Sequence, residues 1–242
     1  MVLRQSVATI NRPINNRVRN SKENVYNTIL DLILGMEIKP GEAITEMSLS
    51  KKLKIGRTPV REALKKIEHE GLIVTKNQRK YVYVLTLKEL EEIFDIKICL
   101  ESFVAECAAL NQNPKNSAEL RKILSTMAAA ASYPVNNEDD EKKRLNEWLT
   151  ADRNLHHQLF KMADKPKIEP IILNLDLQWQ RLRLGIYTLE GRISRSYVEH
   201  EKFVQAIFDM KPTEAATLMR EHLKMVSSEL IKLFKMFNYP VR

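Results

Sequence analysis

Apolar residues recur at helical spacing in three short stretches near the start of the chain. The first stripe runs from Val25 to Ile33 and stops near Gly35, which predicts one helix. The second belongs to a short helix that begins near Thr45, and the third has its apolar side chains at spacings of four and three. The residues of that third stripe are Val60, Leu64 and Ile67.

Residues that favour β-strands replace the helical pattern after the third helix. The runs Leu72–Val74 and Tyr81–Leu85 are rich in β-branched and aromatic side chains, which predicts two strands. The segment between them, Thr75–Lys80, is expected to form a strongly basic tip, and its Arg79 and Lys80 are candidate DNA-contacting residues. Three helices followed by a two-stranded wing predict a winged helix-turn-helix domain.

The start of the third helix carries two arginines. Thr58 is expected to cap this helix, and Pro59 suits its first turn. Arg57 and Arg61 then project from the exposed N-terminal end. Because that end of a recognition helix meets base edges and phosphates in the major groove, the segment predicts DNA binding.

From Thr86 onward the pattern is helical almost throughout and contains no convincing strand. Six stretches have helical periodicity, and Pro134, Pro166, Gly191 and Pro212 separate some of them. They cover residues 86–107, 117–132, 139–163, 167–189, 194–210 and 213–237.

The predicted fold class is therefore mainly α, with a winged helix-turn-helix domain followed by an all-helical bundle of six or seven helices. We assign residues 1–20 to a flexible basic arm, 21–85 to the DNA-binding domain, and 86–242 to a helical domain for effector binding and dimerisation.

All of the excess positive charge lies in the first third of the chain. Residues 1–85 contain 16 Lys and Arg against 8 Asp and Glu, whereas the remainder contains 23 of each. A basic segment joined to a neutral one indicates that one part meets phosphates and the other has a different task. Two cysteines without metal-type spacing, and no apolar run long enough for a membrane span, predict a cytoplasmic protein without a membrane partner.

Four of the five histidines lie in the helical part. Asp152 and His156 are one helical turn apart and share a face, while His200 and His222 lie on the last two helices. Packed helices can direct these four side chains into one cavity, and imidazole with carboxylate suits Zn²⁺, Ni²⁺, Mn²⁺ or Fe²⁺. The alternative is that scattered histidines are ordinary surface or core residues.

The first domain resembles the GntR family of bacterial transcription regulators. The resemblance rests on Pro40-Gly41, the core Arg57–Leu64 and the segment Glu70–Leu72. It implies that Arg57, Thr58 and Arg61 contact DNA. The chain departs from the family at Met47, where some members have an arginine, and at the wing tip, which lacks the usual glycine but offers Asn77 for a left-handed turn.

The helical part resembles the FCD effector domain of the FadR-type regulators. The segment Asp152–His156 and two later histidine motifs carry the resemblance. It implies a divalent metal, most often zinc, held by Asp152, His156, His200 and His222, and a small carboxylate effector bound with its help. Lys97 stands where the family usually has an arginine, and Arg183 lies on a following helix; both are candidate effector-binding residues.

These observations predict a homodimeric transcription regulator, expected to be a repressor and not an enzyme. Two-fold symmetry would match a short inverted repeat in double-stranded DNA, and the effector would alter DNA affinity. Two alternatives remain at this point. The helical domain could be a metal-free dimerisation or effector module, or the Asp and His residues could form a metalloenzyme site.

Overall fold

A computed structural model describes residues 22–187 and 189–236. The basic arm expected over residues 1–20 lies outside the described residues. The chain divides into two compact units, one containing the described residues up to Leu85 together with Asp176–Arg181, and the other containing Thr86–Leu175 and the described residues from Leu182 onward.

The first unit contains three helices and a small antiparallel sheet. The helices are α1 (Lys22–Leu34), α2 (Glu46–Leu53) and α3 (Arg57–His69). The strands are β1 (Ala43–Ile44), β2 (Ile73–Lys76) and β3 (Arg79–Val82), in the order β1-β3-β2. The apolar stripes of the sequence form the core of this unit, which includes the fully buried Val25, Ile29, Val60 and Ile67. The predicted winged helix is confirmed.

The two short helices of the helix-turn-helix begin differently. Thr45 caps α2, because its hydroxyl accepts a hydrogen bond from the Ser48 amide at 3.1 Å. The prediction that Thr58 caps α3 is wrong, because Gly56 is the capping residue and Thr58 is the second residue of the helix. The helix can start ahead of Pro59 because first-turn amides have no partner within the helix, so the missing N–H of proline costs nothing there.

The wing is a tight hairpin. The last paired residues are Lys76 and Arg79, so the connection contains only Asn77 and Gln78. Both have positive φ, 49° and 61°, as a two-residue hairpin turn requires. The six-residue basic tip of the sequence analysis is therefore wrong, and β1 adds a third strand that was not predicted. A strand of two residues has too little periodicity to be recognised.

Six helices follow the wing in the described part of the chain. They are α4 (Leu87–Leu110), α5 (Pro114–Ala131), α6 (Glu138–Ala163), α7 (Glu169–Tyr187), α8 (Arg192–Phe208) and α9 (Pro212–Met236). The capping box of Thr86 and Glu89 starts α4. Asn113 caps α5, and with Pro114 in its first turn that helix begins before the predicted position. The mainly α fold class is confirmed.

Packing in the second unit brings four helices around one interior. Helix α4 packs against α6, α8 and α9, and α8 packs against α9. The core includes the fully buried Trp148 and Phe203. Both thiols are free, Cys107 buried and Cys99 exposed. In the described part of the chain, no helix has both the length and the apolar character needed to cross a membrane.

Candidate metal centre and DNA interface

Three histidines from three different helices converge in the interior of the second unit. His156 lies on α6, His200 on α8 and His222 on α9, and one ring nitrogen of each lies within 4.8 Å of those of the other two. The ring centroids of His200 and His222 are 4.4 Å apart, and those of His156 and His200 are 5.6 Å apart. His200 is fully buried and His222 nearly so. The three side chains converge because each of these amphipathic helices buries one face in the same interior.

The Nδ1 atom of every histidine in the cluster faces an oxygen acceptor. The distances are 2.9 Å from His156 to Glu101 Oε2, 2.6 Å from His200 to the Ser196 carbonyl, and 2.7 Å from His222 to Glu199 Oε2. A carbonyl oxygen can only accept, so Nδ1 of His200 carries a proton. A ring that is neutral with its proton on Nδ1 presents Nε2 as the free ligand atom, an arrangement typical of histidines that bind metals.

Asp152 lies next to one of these histidines. Its side chain is buried, and its Oδ1 atom is 3.0 Å from Nε2 of His200. Asp152 is not part of the group whose ligand atoms all lie within 4.8 Å of one another. The structure thus brings together the three predicted histidines and sets the predicted aspartate against His200.

The donor set fits a divalent cation. Nε2 of His200 is buried and forms no hydrogen bond in the described part of the structure. In the neutral ring this atom has a lone pair, and so does the Asp152 oxygen in front of it. Two acceptors in contact repel each other unless a cation or a proton lies between them. Imidazole nitrogens with one carboxylate are ligands that Zn²⁺, Ni²⁺, Mn²⁺ and Fe²⁺ accept.

Burial and neighbouring charges shift the pKa values of His222 and His156 in opposite directions. Burial, followed by repulsion from His200, lowers the pKa of His222 to about 4. His222 is therefore neutral near pH 7, the form that binds metal. For His156, burial alone would lower the pKa, but the hydrogen bond and charge of Glu101 outweigh it and raise the pKa above the ordinary value.

The two supporting glutamates are each paired with a buried cation. Burial acts to raise the pKa of Glu101, yet Lys97 and His156 together hold that pKa well below its usual range. The pKa of Glu199 is lowered in the same way, against its burial, by His222 and Arg192. Sequence reasoning gave neither glutamate a role at the site, although Lys97 and Glu101 have the four-residue spacing of a helical ion pair.

Of the two candidate effector-binding side chains, the structure describes that of Lys97 and not that of Arg183. Lys97 is buried, and its Nζ atom lies 2.6 Å from Oε1 of Glu101. Its charge is thus already compensated by a carboxylate of the same helix. Arg183 lies on α7, but its side chain is outside the described part of the structure.

Two buried hydrogen-bonding groups near His200 have no hydrogen-bond partner in the described part of the chain. They are Nε1 of Trp148 and Oγ of Ser196. The Trp148 ring meets the His200 ring edge-on with centroids 5.8 Å apart, and Ser196 is one turn before His200 on α8. An indole N–H can only donate, so it calls for an acceptor such as an oxygen atom.

His222 borders a surface groove of about 170 Å³. Its lining residues are Glu199, Lys202, Leu218, Glu221, His222 and Met225. The other two histidines, His157 and His69, lie outside the cluster. His157 is on the exposed side of α6 and contacts Glu169, and His69 is exposed at the end of α3.

The predicted DNA-contacting residues lie on two exposed parts of the winged helix. Arg57, Thr58 and Arg61 are exposed in the first turns of α3. Arg79 is exposed at the start of β3 beside the hairpin turn. Lys80 is half-buried and forms an ion pair with Glu68, which lowers the pKa of that carboxyl group. Of these two wing residues, Arg79 therefore carries the less compensated charge.

Comparison with known proteins finds a matching family model for each of the two units. Residues 21–82 match the family model of the gntR family of bacterial regulatory proteins, and residues 92–225 match the FCD domain. The Nta operon transcriptional regulator of Aminobacter aminovorans is 23% identical over 207 residues, 84% of this chain and 91% of that protein. The gluconate operon transcriptional repressor of Bacillus subtilis is 28% identical over 185 residues, covering 75% and 73%. Among solved structures, Escherichia coli McbR/YncC superposes with a TM-score of 0.68 at 19% identity, covering 88% of this chain and 98% of that chain, a likeness of fold.

Proposed function

The chain belongs to the GntR family of bacterial transcription regulators with a C-terminal FCD domain, and we propose that it is a repressor controlled by a small carboxylate at a metal centre. The observation that carries the proposal is the cluster of His156, His200 and His222, each with Nδ1 engaged and Nε2 left for a metal. Asp152 would be the fourth ligand. Such an ion supplies a Lewis-acid position at which a carboxylate oxygen can bind.

The chemistry around His200 supports an oxygen-rich ligand. The buried indole N–H of Trp148 and the hydroxyl of Ser196 have no hydrogen-bond partner in the described residues. Each of these groups can donate to an oxygen atom, which a carboxylate would supply. Because Lys97 is paired with Glu101, we assign recognition of the acid to the metal and these donors rather than to Lys97.

Control of transcription requires that the effector bind two conformations of the regulator with different affinity. We propose a homodimer in which Arg57, Thr58 and Arg61 of each copy contact one half of a short inverted repeat. Relatives whose names identify them as transcriptional repressors support repression. We expect effector binding to release the protein from DNA.

Metal analysis of the purified, tag-free protein tests the metal centre. We expect about one divalent ion per chain, retained in His157→Ala and lost in an Asp152→Ala/His222→Ala double variant. His157 is a matched control because it neighbours His156 on the same helix but faces Glu169. Full metal content in His200→Ala would show that the ligand set is wrong. No metal in any form, even after adding Zn²⁺, Ni²⁺ or Mn²⁺, would end the metal-dependent part of the proposal.

The DNA and effector steps need a separate assay. An operator selected from random duplexes gives the DNA probe, and fluorescence anisotropy then reports its release by a panel of small carboxylates. We expect an active acid to release DNA from the metal-loaded protein and not from His200→Ala. An acid that releases DNA equally from both would contradict the metal-assisted mechanism while leaving DNA binding intact.

A further inference from the structure

Two histidines of the cluster are supported by the same arrangement of a buried cation, a glutamate and an imidazole. One consists of Lys97, Glu101 and His156, and the other of Arg192, Glu199 and His222. Each joins two helices, α4 and α6 in the first and α8 and α9 in the second.

The Arg192 side chain is fully buried and lies between two glutamates. Its Nη1 and Nη2 atoms are 3.0 Å and 3.3 Å from the two oxygens of Glu199, so the guanidinium group grips that carboxylate with both nitrogens. Its Nε atom is 2.6 Å from Oε2 of Glu229 on α9. Both carboxylates approach one rigid planar group, which fixes their positions relative to each other.

The Glu199 carboxylate held by Arg192 also contacts His222. Oε2 of Glu199, the oxygen facing Nη2 of Arg192, is also 2.7 Å from Nδ1 of His222. The Glu199 side chain is 24% exposed, so without the guanidinium its carboxylate could turn towards solvent. His222 would then lose the acceptor that keeps the proton on Nδ1.

The position of Arg192 in the chain explains how it reaches both helices. Gly191, with φ of 66°, precedes α8, and Arg192 is the first residue of that helix. Glu199 lies two turns later on α8, and Glu229 lies two turns after His222 on α9. The guanidinium therefore ties α8 to α9 beside the contact between Glu199 and His222.

We propose that Arg192 is a positioning residue of the metal centre. Acting through Glu199, it holds the His222 ring in the tautomer and orientation that direct Nε2 at His156 and His200. The inference rests on the proposed metal site, because positioning has a purpose only if these nitrogens bind an ion. Outer partners of this kind typically change metal affinity by about 10- to 100-fold when removed.

The test compares Arg192→Gln with Arg192→Lys and with Arg195→Gln. Arg195 is the matched control, since it lies one turn later on α8, is half exposed and is 3.7 Å from Glu229. Zinc affinity is measured by competition with a chelator. We expect Arg192→Gln to bind zinc about 10- to 100-fold more weakly, Arg192→Lys to recover part of the loss, and Arg195→Gln to match the wild type.

A second readout does not depend on metal. Long-range ¹⁵N–¹H spectra of the apo protein distinguish the two neutral tautomers of His222. We expect the Nδ1–H form in the wild type and a mixture in Arg192→Gln. Unchanged zinc affinity together with an unchanged tautomer in Arg192→Gln would overturn the inference.

If Arg192→Gln does not fold, an Arg192→Leu/Glu229→Leu double variant removes the buried Arg192 charge together with the carboxylate that its Nε atom faces, and leaves Glu199 without the guanidinium group. We expect this variant to fold and to bind zinc weakly; wild-type zinc affinity in it would overturn the inference. A wild-type protein that binds no zinc, nickel or manganese would instead refute the proposed metal site itself.

Discussion

Replacing Lys97 by methionine tests whether this lysine belongs to the protein interior or to a ligand. The side chains of Lys97 and Glu101 are 5% and 3% exposed, and their charged atoms are 2.6 Å apart. Removing one partner of a buried ion pair typically costs 3–5 kcal/mol, and we expect about 3 kcal/mol because His156 still faces Glu101. Urea unfolding of the apo protein, at fixed protein concentration, measures the loss.

Two control variants make this experiment decisive. Lys88→Met removes an exposed ion pair to Glu92 on the same helix and should cost less than about 0.5 kcal/mol. A Lys97→Met/Glu101→Leu double variant should regain much of the lost stability, because no buried charge is left alone. If Lys97→Met unfolds like the wild type and weakens only the response to an acid, Lys97 is an effector-binding residue and the reasoning is wrong.

The hairpin turn, a helix cap and an exposed arginine give three further tests. Gln78→Gly should stabilise the protein by about 1 kcal/mol, because Gln78 has a φ of 61°; a lower midpoint of thermal unfolding would contradict the turn. Thr45→Ala should cost about 1 kcal/mol, whereas Thr45→Ser keeps the capping hydroxyl and should unfold like the wild type. If Arg61 reads a guanine, Arg61→Ala should weaken operator binding by about 1–3 kcal/mol in anisotropy titrations, and Lys142→Ala, a charge loss on α6, should not. Equal operator affinity of Arg61→Ala and wild type would exclude that contact.

The helices could be predicted because each buries one continuous stripe. Val25 and Ile29 on α1 are fully buried, as their spacing requires. The short elements could not be predicted in this way. β1 has only two residues, and its pairing with β3 depends on backbone hydrogen bonds to a distant segment. The start of α3 was predicted too late because the Thr58 hydroxyl is typical of a capping residue. In the structure Gly56 is the capping residue, and the helix begins at Arg57.

The candidate metal centre was partly visible in the sequence. One helical turn between Asp152 and His156 puts both on one face of α6, and this is a local property. Which faces of α8 and α9 meet that face depends on tertiary packing. Lys97 shows the same limit, since its spacing to Glu101 is readable but the burial that makes the pair persistent is not. No role was predicted for Arg192 or Glu199, and only the fold reveals that Arg192 contacts Glu199 and that Glu199 contacts His222.

The three histidines belong to three helices, and this distribution has a consequence for local opening of the structure. No single helix supplies all the ligands of the proposed site, so detachment of α9 would remove His222 and break the coordination of a bound ion. A bound metal then opposes partial opening of α9 as well as global unfolding, because both states have lost a ligand. Amide hydrogen exchange along α9 should therefore slow as metal is added, which makes the backbone of this helix a gauge of occupancy.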